Sequence, residues 1–173
     1  MELEILHAIQ NLHCDWLDAL MIFFTNLSNH GEVWILIAVI LICFKKTRTC
    51  GFAMSISLLL MLIIGNGLLK NIFARPRPCW VDSSVKMIID CPSSYSFPSG
   101  HTFSSFAGAF TIFFYFKKQG VLALILASVI GFSRMYLFVH YPTDIFGGIV
   151  FGLCVALASI AFVNKIQSKR VIL

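Results

Sequence analysis

Long uncharged apolar runs alternate with short polar breaks along this chain. Residues 51–69, 121–131 and 145–163 contain no Asp, Glu, Lys or Arg. Uncharged, mostly apolar runs of about 18 or more residues are long enough to cross the hydrocarbon core of a bilayer as helices. Following each apolar stretch out to its polar flanks predicts crossings at 15–28, 33–44, 51–72, 99–116, 121–139 and 142–163, the first two being short. Ahead of them, Leu3, Leu6, Ile9 and Leu12 recur every third residue with largely polar side chains between. That spacing fits an interfacial helix or the leading turns of the first crossing. Residues 29–32 form a tight turn. Arg75-Pro76-Arg77-Pro78 ends a helix, because two prolines one residue apart cannot continue it. Residues 79–97 make the long loop, and Pro142 suits the first turn of the last helix. The expected fold is all-α: a six-transmembrane-helix bundle with an N-terminal interfacial helical segment, forming one integral membrane domain over residues 1–173.

Charge gives this bundle a direction. Only 12% of the residues are charged and 58% are hydrophobic, whereas soluble domains carry roughly twice that charged share. A net charge of +5 would suit a nucleic-acid binder if it formed one basic face. Instead Lys45, Lys46 and Arg48 form one cluster, Lys117 and Lys118 a second, and Lys165, Lys169 and Arg170 a third, each after an apolar run. Cytoplasmic anchors are placed in this way, and nucleic acid is not expected as a partner. Six crossings would bring both termini to the cytoplasmic side with these clusters. The breaks that hold Lys70, Arg77, His101, His140 and Asp144 would then face outward, with Arg134 one to two turns deeper. The acidic start, Met-Glu-Leu-Glu, is unlike the basic opening of a cleaved signal peptide. Cys43, Cys50 and Cys154 lie in or beside crossings and are expected to pack as small buried hydrophobes. Cys79 and Cys91 share the long loop. They can pair in an oxidising space, and spacing alone leaves that pairing open.

The outward breaks carry the chemistry. His140 and Asp144 stand four residues apart at a helix start, on neighbouring turns of one face. A carboxylate bonded to one imidazole nitrogen fixes the tautomer and frees the other nitrogen to attack. The plain alternative is a capping aspartate beside an interfacial histidine. His101 follows Pro98-Ser99-Gly100, where Ser99 suits an N-cap and glycine lets an anion approach the first free N–H groups. A simple helix start is the alternative there. Arg134 lies within an apolar run, where a guanidinium needs a carboxylate or phosphate partner unless it snorkels to the interface. Each alternative is sound by itself. Together they require three unrelated features to converge on one membrane face.

The pattern Lys70-x6-Arg77-Pro78, Pro98-Ser99-Gly100-His101 and Ser133-Arg134-x5-His140-x3-Asp144 resembles the type 2 phosphatidic acid phosphatase family, which is itself similar to glucose-6-phosphatase and the vanadium haloperoxidases. All motif positions are occupied from Lys70 to Asp144. Arg75 offers a second Arg-Pro pair, but the family spacing from Lys70 selects Arg77. The resemblance implies that His140 is the nucleophile, that Asp144 orients it, and that His101 protonates the leaving oxygen and then activates water. It implies that Lys70, Arg77 and Arg134, with Ser99 and the Gly100 N–H, hold the phosphate oxygens. Cations placed in this way can compensate the charge of a transferring phosphoryl group, so neither metal nor cofactor is expected.

The expected activity is hydrolysis of a membrane-embedded lipid phosphate or pyrophosphate at the outer face of a bacterial-type plasma membrane. The resemblance points to undecaprenyl pyrophosphate, with phosphatidic acid or phosphatidylglycerophosphate as the alternative. A lipid-phosphate binder or transporter is a different class, but binding alone needs cations and no nucleophile. The apolar crossings disfavour a haloperoxidase. Gly148-x-x-x-Gly152 permits close helix packing, within the chain or in a dimer, and leaves the oligomeric state open.

Overall fold

A computed structural model describes residues 1–29 and 31–171, with side chains up to residue 168. All regular elements among the described residues are helical. Two short helices, α1 (Glu2–Gln10) and α2 (Asp15–Asn26), lead into α3 (Glu32–Cys43). A continuous rod follows, made of α4 (Arg48–Met61), a π-helical stretch (Leu62–Leu69) and α5 (Lys70–Phe73). Ala74 closes it in the left-handed region, with φ of 41°, and the Arg-Pro-Arg-Pro sequence then prevents helix. The short α6 (Pro78–Val81) opens the polar loop. Helices α7 (Gly100–Tyr115), α8 (Lys117–Tyr136) and α9 (Pro142–Val171) complete the chain.

Helix α7 is the axle, packed against α4, α8 and α9. Its sequence allows this because Ser104, Ser105, Ala107, Gly108, Ala109 and Thr111 are small and all buried. Small residues let helix backbones approach closely where apolar surroundings give little drive for association. A Cβ on Gly148 would lie 2.9 Å from the Thr102 Cβ, and one on Gly152 2.9 Å from the Phe106 Cβ. The Gly148-x-x-x-Gly152 face is therefore used within the chain, for α9 against α7. At Gly108 an added Cβ would lie 2.7 Å from the Trp34 ring, and the Trp34 indole N–H donates to Ser105 Oγ at 2.9 Å. That bond satisfies the one polar atom of a fully buried indole, as an apolar interior requires.

Three of the six expected crossings, at 51–72, 121–139 and 142–163, coincide with helical stretches long enough to span, and the one at 15–28 falls on a much shorter helix. Three helical stretches are long and apolar enough to cross a membrane, Arg48–Val81, Lys117–Tyr136 and Pro142–Ser168, and Glu32–Cys43 is a shorter apolar helix. Helix α2 has 12 residues, about 18 Å at 1.5 Å per residue, against a hydrocarbon core of about 30 Å. Asp18, near its start, accepts a hydrogen bond from the Tyr136 hydroxyl. Thr25, near its end, meets Arg134, and Asn29 just beyond meets His101 at 3.3 Å. Both ends of α2 therefore stay at one end of the bundle. Helix α1 is also there: Leu6 is fully buried against Phe138 and Tyr141, and Glu2 bonds Thr143. So α1 is a separate helix and does not form the leading turns of a crossing.

This changes the parity. The chain runs away from the motif end in α3, returns in the α4–α5 rod, leaves in α7, returns in α8 and leaves in α9. The N-terminal helix thus lies at the motif end. The C-terminal helix reaches the other, where Gln167 donates to Thr49 Oγ1 at 2.6 Å and Tyr115 to Asn164 Oδ1 at 3.0 Å. The expectation that the two termini share an end is corrected for the N-terminus. The basic residues do gather as expected: Lys45, Lys46, Arg48, Lys117, Lys118 and Lys165 all lie at the end away from the motifs. The side chains of Lys169 and Arg170 lie outside the described residues. Cys79 and Cys91 are joined as a disulfide, with Cα atoms 6.2 Å apart. Cys50 is buried as expected, but Cys43 and Cys154 are exposed on outer helix faces.

Candidate active site

The α8–α9 turn builds the centre of the site. Phe138 takes a left-handed conformation, φ 58°, which lets the chain reverse within a few residues before Pro142 opens α9. This reversal leaves His140 and Asp144 pointing inward, 1% and 0% exposed. Asp144 Oδ2 accepts the Tyr141 N–H at 2.8 Å, so the carboxylate does cap its own helix start. The same oxygen lies 3.4 Å from His140 Nδ1 and accepts from the Ser96 hydroxyl. Ser96 Oγ is also 3.3 Å from His140 Nδ1, so the ring N–H is shared between a carboxylate and a hydroxyl. On the opposite face of the ring, His140 Nε2 lies 3.1 Å from Arg77 Nη1. A guanidinium only donates, so Nε2 presents its lone pair and Nδ1 carries the hydrogen. Burial first, then the charges of Arg77, Arg134 and Lys70, hold the His140 imidazole well below its ordinary pKa. The ring is therefore neutral, with one nitrogen available to attack.

Arg77 stands at the N-terminus of α6 and is 2% exposed. Its Nε donates to Ser94 O at 2.6 Å, and Nη1 donates to Val139 O at 2.9 Å. Its Nη2 donates to Ser94 Oγ at 3.1 Å. One guanidinium thus ties the 79–97 loop to the α8–α9 turn. Lys70, at the end of the long rod, donates to the same Ser94 Oγ at 3.0 Å. Arg134 is 3% exposed and donates from Nη1 to Thr25. Its buried Nε–H has no partner among the described residues. An orphaned guanidinium donor beside two other cations marks a place where an anion's oxygen fits.

These groups surround one cavity of about 480 Å³, whose lining includes Lys70, Arg77, Gly100, His101, Arg134 and His140. Its other wall is apolar, with Ile35 from α3 and Leu58, Met61 and Leu62 from the rod. Asp144 lies behind His140. Ser99 is fully buried and lies outside the cavity wall. Its Oγ accepts from the Thr102 hydroxyl at 3.0 Å and the Thr102 N–H at 3.5 Å. Of the two expected uses of Ser99, the helix cap is the one observed, and contact with the cavity is not. His101 Nε2 faces Asn29 Oδ1 at 3.3 Å.

Several participants escape motif reasoning. Ser94 and Ser96 come from the serine-rich run just ahead of Pro98-Ser99-Gly100-His101, and that density of hydroxyls was their one sequence signal. Arg75, set aside in favour of Arg77, donates to Asp144 Oδ1 at 2.7 Å. Glu2 meets Arg75 Nη2 at 2.5 Å, a contact across 73 residues that no local pattern announces.

The PAP2 superfamily model matches residues 49–168. An undecaprenyl-diphosphatase of Sulfolobus acidocaldarius is 32% identical over 158 residues, covering 90% of this chain and 75% of its own. The undecaprenyl-diphosphatase BcrC of Bacillus subtilis is 30% identical over 169 residues, covering 96% and 86%. The crystal structure of a transmembrane PAP2-type phosphatidylglycerolphosphate phosphatase from Bacillus subtilis superposes with a TM-score of 0.74 at 26% identity, covering 94% of this chain and 84% of that one. A family model across most of the chain and relatives matched over most of their own length place this chain in the PAP2 superfamily.

Proposed function

We propose that this membrane phosphatase hydrolyses undecaprenyl pyrophosphate to undecaprenyl phosphate and inorganic phosphate through a phosphohistidine on His140. The observation that carries the reading is the His140 Nε2 lone pair, backed by Asp144 and Ser96 and faced by a cluster of cations. The terminal phosphoryl group enters the cavity with its oxygens against Lys70, Arg77 and the free Arg134 Nε–H, at the N-terminus of α7 beside Gly100. Nε2 donates its electron pair to phosphorus, and the bond from phosphorus to the bridging oxygen breaks. His101 gives a proton to that oxygen as lipid monophosphate leaves. The neutral His101 then takes a proton from water, and the resulting attack on phosphorus breaks the N–P bond and frees inorganic phosphate. The cations supply the charge compensation that phosphoryl transfer requires, so the reading needs no metal.

The apolar wall of Ile35, Leu58, Met61 and Leu62 suits a long hydrocarbon chain. The two undecaprenyl-diphosphatase relatives support the polyprenyl substrate. The basic residues at the far end support placing that end in the cytoplasm and the cavity on the extracytoplasmic face of a bacterial-type plasma membrane. Residues 1–173 act as one domain in this account. The likeness to the phosphatidylglycerolphosphate phosphatase structure favours a glycerophospholipid monophosphate as the second reading.

The test is phosphate release by purified protein in detergent from undecaprenyl pyrophosphate, phosphatidylglycerophosphate and phosphatidic acid. The expected result is the highest kcat/KM on the pyrophosphate. A higher value on either glycerophospholipid would replace the substrate, and tight binding with no phosphate release from any of the three would replace the enzyme by a binder.

A further inference from the structure

Arg75 stands on the side of Asp144 away from His140. The carboxylate divides its two oxygens. Oδ2 serves the catalytic side, meeting the His140 ring, the Ser96 hydroxyl and the Tyr141 N–H. Oδ1 is left for the outside, and Arg75 Nη1 takes it at 2.7 Å. The same Nη1 donates to Thr143 Oγ1 at 2.6 Å. The Arg75 guanidinium lies over the Tyr141 ring, 4.0 Å from Cζ to the ring centroid, a spacing at which an aromatic face attracts a cation. Glu2 completes the chain. Its Oε2 meets Arg75 Nη2 at 2.5 Å, while Oε1 accepts the Thr143 hydroxyl at 2.7 Å and the Thr143 N–H at 3.1 Å. Burial works against ionising Glu2, but the bonds from Thr143 and Arg75 outweigh it and lower its pKa.

We infer that Arg75 and Glu2 are positioning residues for the reaction: Glu2 on α1 fixes Arg75, Arg75 fixes Asp144, and Asp144 fixes the attacking ring of His140. The inference rests on His140 being the nucleophile. The physical need is clear. A fully buried carboxylate with one free oxygen could rotate about its last torsion and lose the His140 contact, which at 3.4 Å is already long. Arg75 occupies the second oxygen and blocks that rotation. A lone cation there would also pull charge away from the Asp144–His140 pair just as the ring becomes positive on attack. Glu2 offsets that pull, so Glu2, Arg75 and Asp144 together carry one negative charge beside the ring. Neither Arg75 nor Glu2 lines the cavity that holds the His140 ring, and Arg75 borders a separate, more open pocket with Phe73, Ala74, Pro76 and Phe97. Helix α1 thereby acquires a part in the chemistry, which accounts for an N-terminal segment docked at the motif end.

The experiment measures kcat, KM and melting temperature in detergent for Glu2→Gln, Arg75→Gln, Arg75→Lys and the Glu2→Gln/Arg75→Gln double variant, with His140→Ala as reference. Arg75→Gln is expected to lose about thirtyfold in kcat with KM nearly unchanged, the signature of an effect felt in the transition state. Glu2→Gln is expected to lose about fivefold. The double variant should be no worse than Arg75→Gln, because Glu2 acts through Arg75. Arg75→Lys should recover only part, since an ammonium lacks the fork that reaches both carboxylates. Ring-nitrogen NMR of His140 adds a readout that mere packing would not move. With Asp144, Arg77, Arg134 and Lys70 otherwise unchanged around the ring, Arg75→Gln removes a cation and should raise the His140 pKa. Glu2→Gln removes an anion and should lower it. The inference is overturned if His140→Ala is inactive while Arg75→Gln keeps wild-type kcat, if the loss lies in KM alone, or if the two NMR shifts share a sign. Turnover by His140→Ala would overturn the nucleophile assignment instead.

Discussion

Asp144→Asn is the perturbation whose cost can be worked most directly from the geometry. The carboxylate accepts from Ser96, the Tyr141 N–H and the His140 ring on Oδ2, and from Arg75 on Oδ1. An amide keeps one acceptor and turns two donors toward the other side. The less costly orientation points its NH2 at Arg75 and keeps the oxygen at the ring, so the fold and the His140 tautomer survive. The negative charge is what disappears. A carboxylate and a full positive charge on the ring, 3.4 Å apart, interact by roughly 5 kcal/mol at an effective dielectric of about 20. The ring carries part of that charge in the transition state, and Arg75 offsets part of the attraction, leaving about 3 kcal/mol. At about 1.4 kcal/mol per decade of rate, kcat should fall on the order of a hundredfold. The assay is phosphate release from undecaprenyl pyrophosphate and from nitrophenyl phosphate, with melting temperature in detergent as a control for folding. Because Asp144 acts on the nucleophile, the loss should be similar for both substrates. A well-folded Asp144→Asn protein within threefold of wild type on both would refute the reasoning.

Three further outcomes are expected. His101→Ala should lose far more rate on a lipid monophosphate, whose alkoxide leaves poorly, than on nitrophenyl phosphate, whose phenolate hardly needs the proton; equal losses would remove His101 as the acid. The His140 ring should be neutral with hydrogen on Nδ1 at pH 6.5, where a free imidazole is about half protonated, because burial and the neighbouring cations hold its pKa well below the ordinary value; ring-nitrogen NMR showing an imidazolium at that pH would contradict the burial and charge argument. In a cysteine-free background made with the Cys79–Cys91 bridge removed, single cysteines at Ser84 and Glu4 should label together with an impermeant reagent, and one at Gln167 only after permeabilisation; labelling of Glu4 with Gln167 would restore the even number of crossings.

The sequence was most informative where chemistry is local. Lys70, Arg77, His101, Arg134 and His140 each occupy a fixed place within a short motif, and all five line one cavity. The uncharged runs at 51–69 and 145–163 announced the rod and α9 because their length matches a bilayer, and the shorter run at 121–131 marked α8. At 15–28 the same criterion misled. Apolar content there covers a helix too short to cross, pinned at both ends by Asp18 to Tyr136 and by Asn29 to His101, and those are contacts across more than 70 residues. Counting six crossings put the N-terminus with the C-terminus, whereas Glu2 lies against Thr143 at the motif end. Ser96 was silent for a different reason: a serine in a polar loop is ordinary until the fold sets its hydroxyl between His140 and Asp144. Arg75 shows the reverse case, being visible in the motif and discounted by spacing, and spacing carries no information about which carboxylate a guanidinium will find.

The central claim is that His140 takes the phosphoryl group. The most direct measurement is acid-stable versus acid-labile phosphate on protein quenched within milliseconds of mixing with nitrophenyl phosphate, mapped by mass spectrometry. The His101→Ala variant is the protein to use, because loss of the group that activates water slows breakdown of the intermediate while a good leaving group still permits its formation. The account predicts acid-labile phosphate on the His140 imidazole at Nε2, absent from a His140→Ala/His101→Ala protein. Phosphate mapped to His101 in wild-type protein, or a phosphoenzyme still formed by His140→Ala, would contradict it.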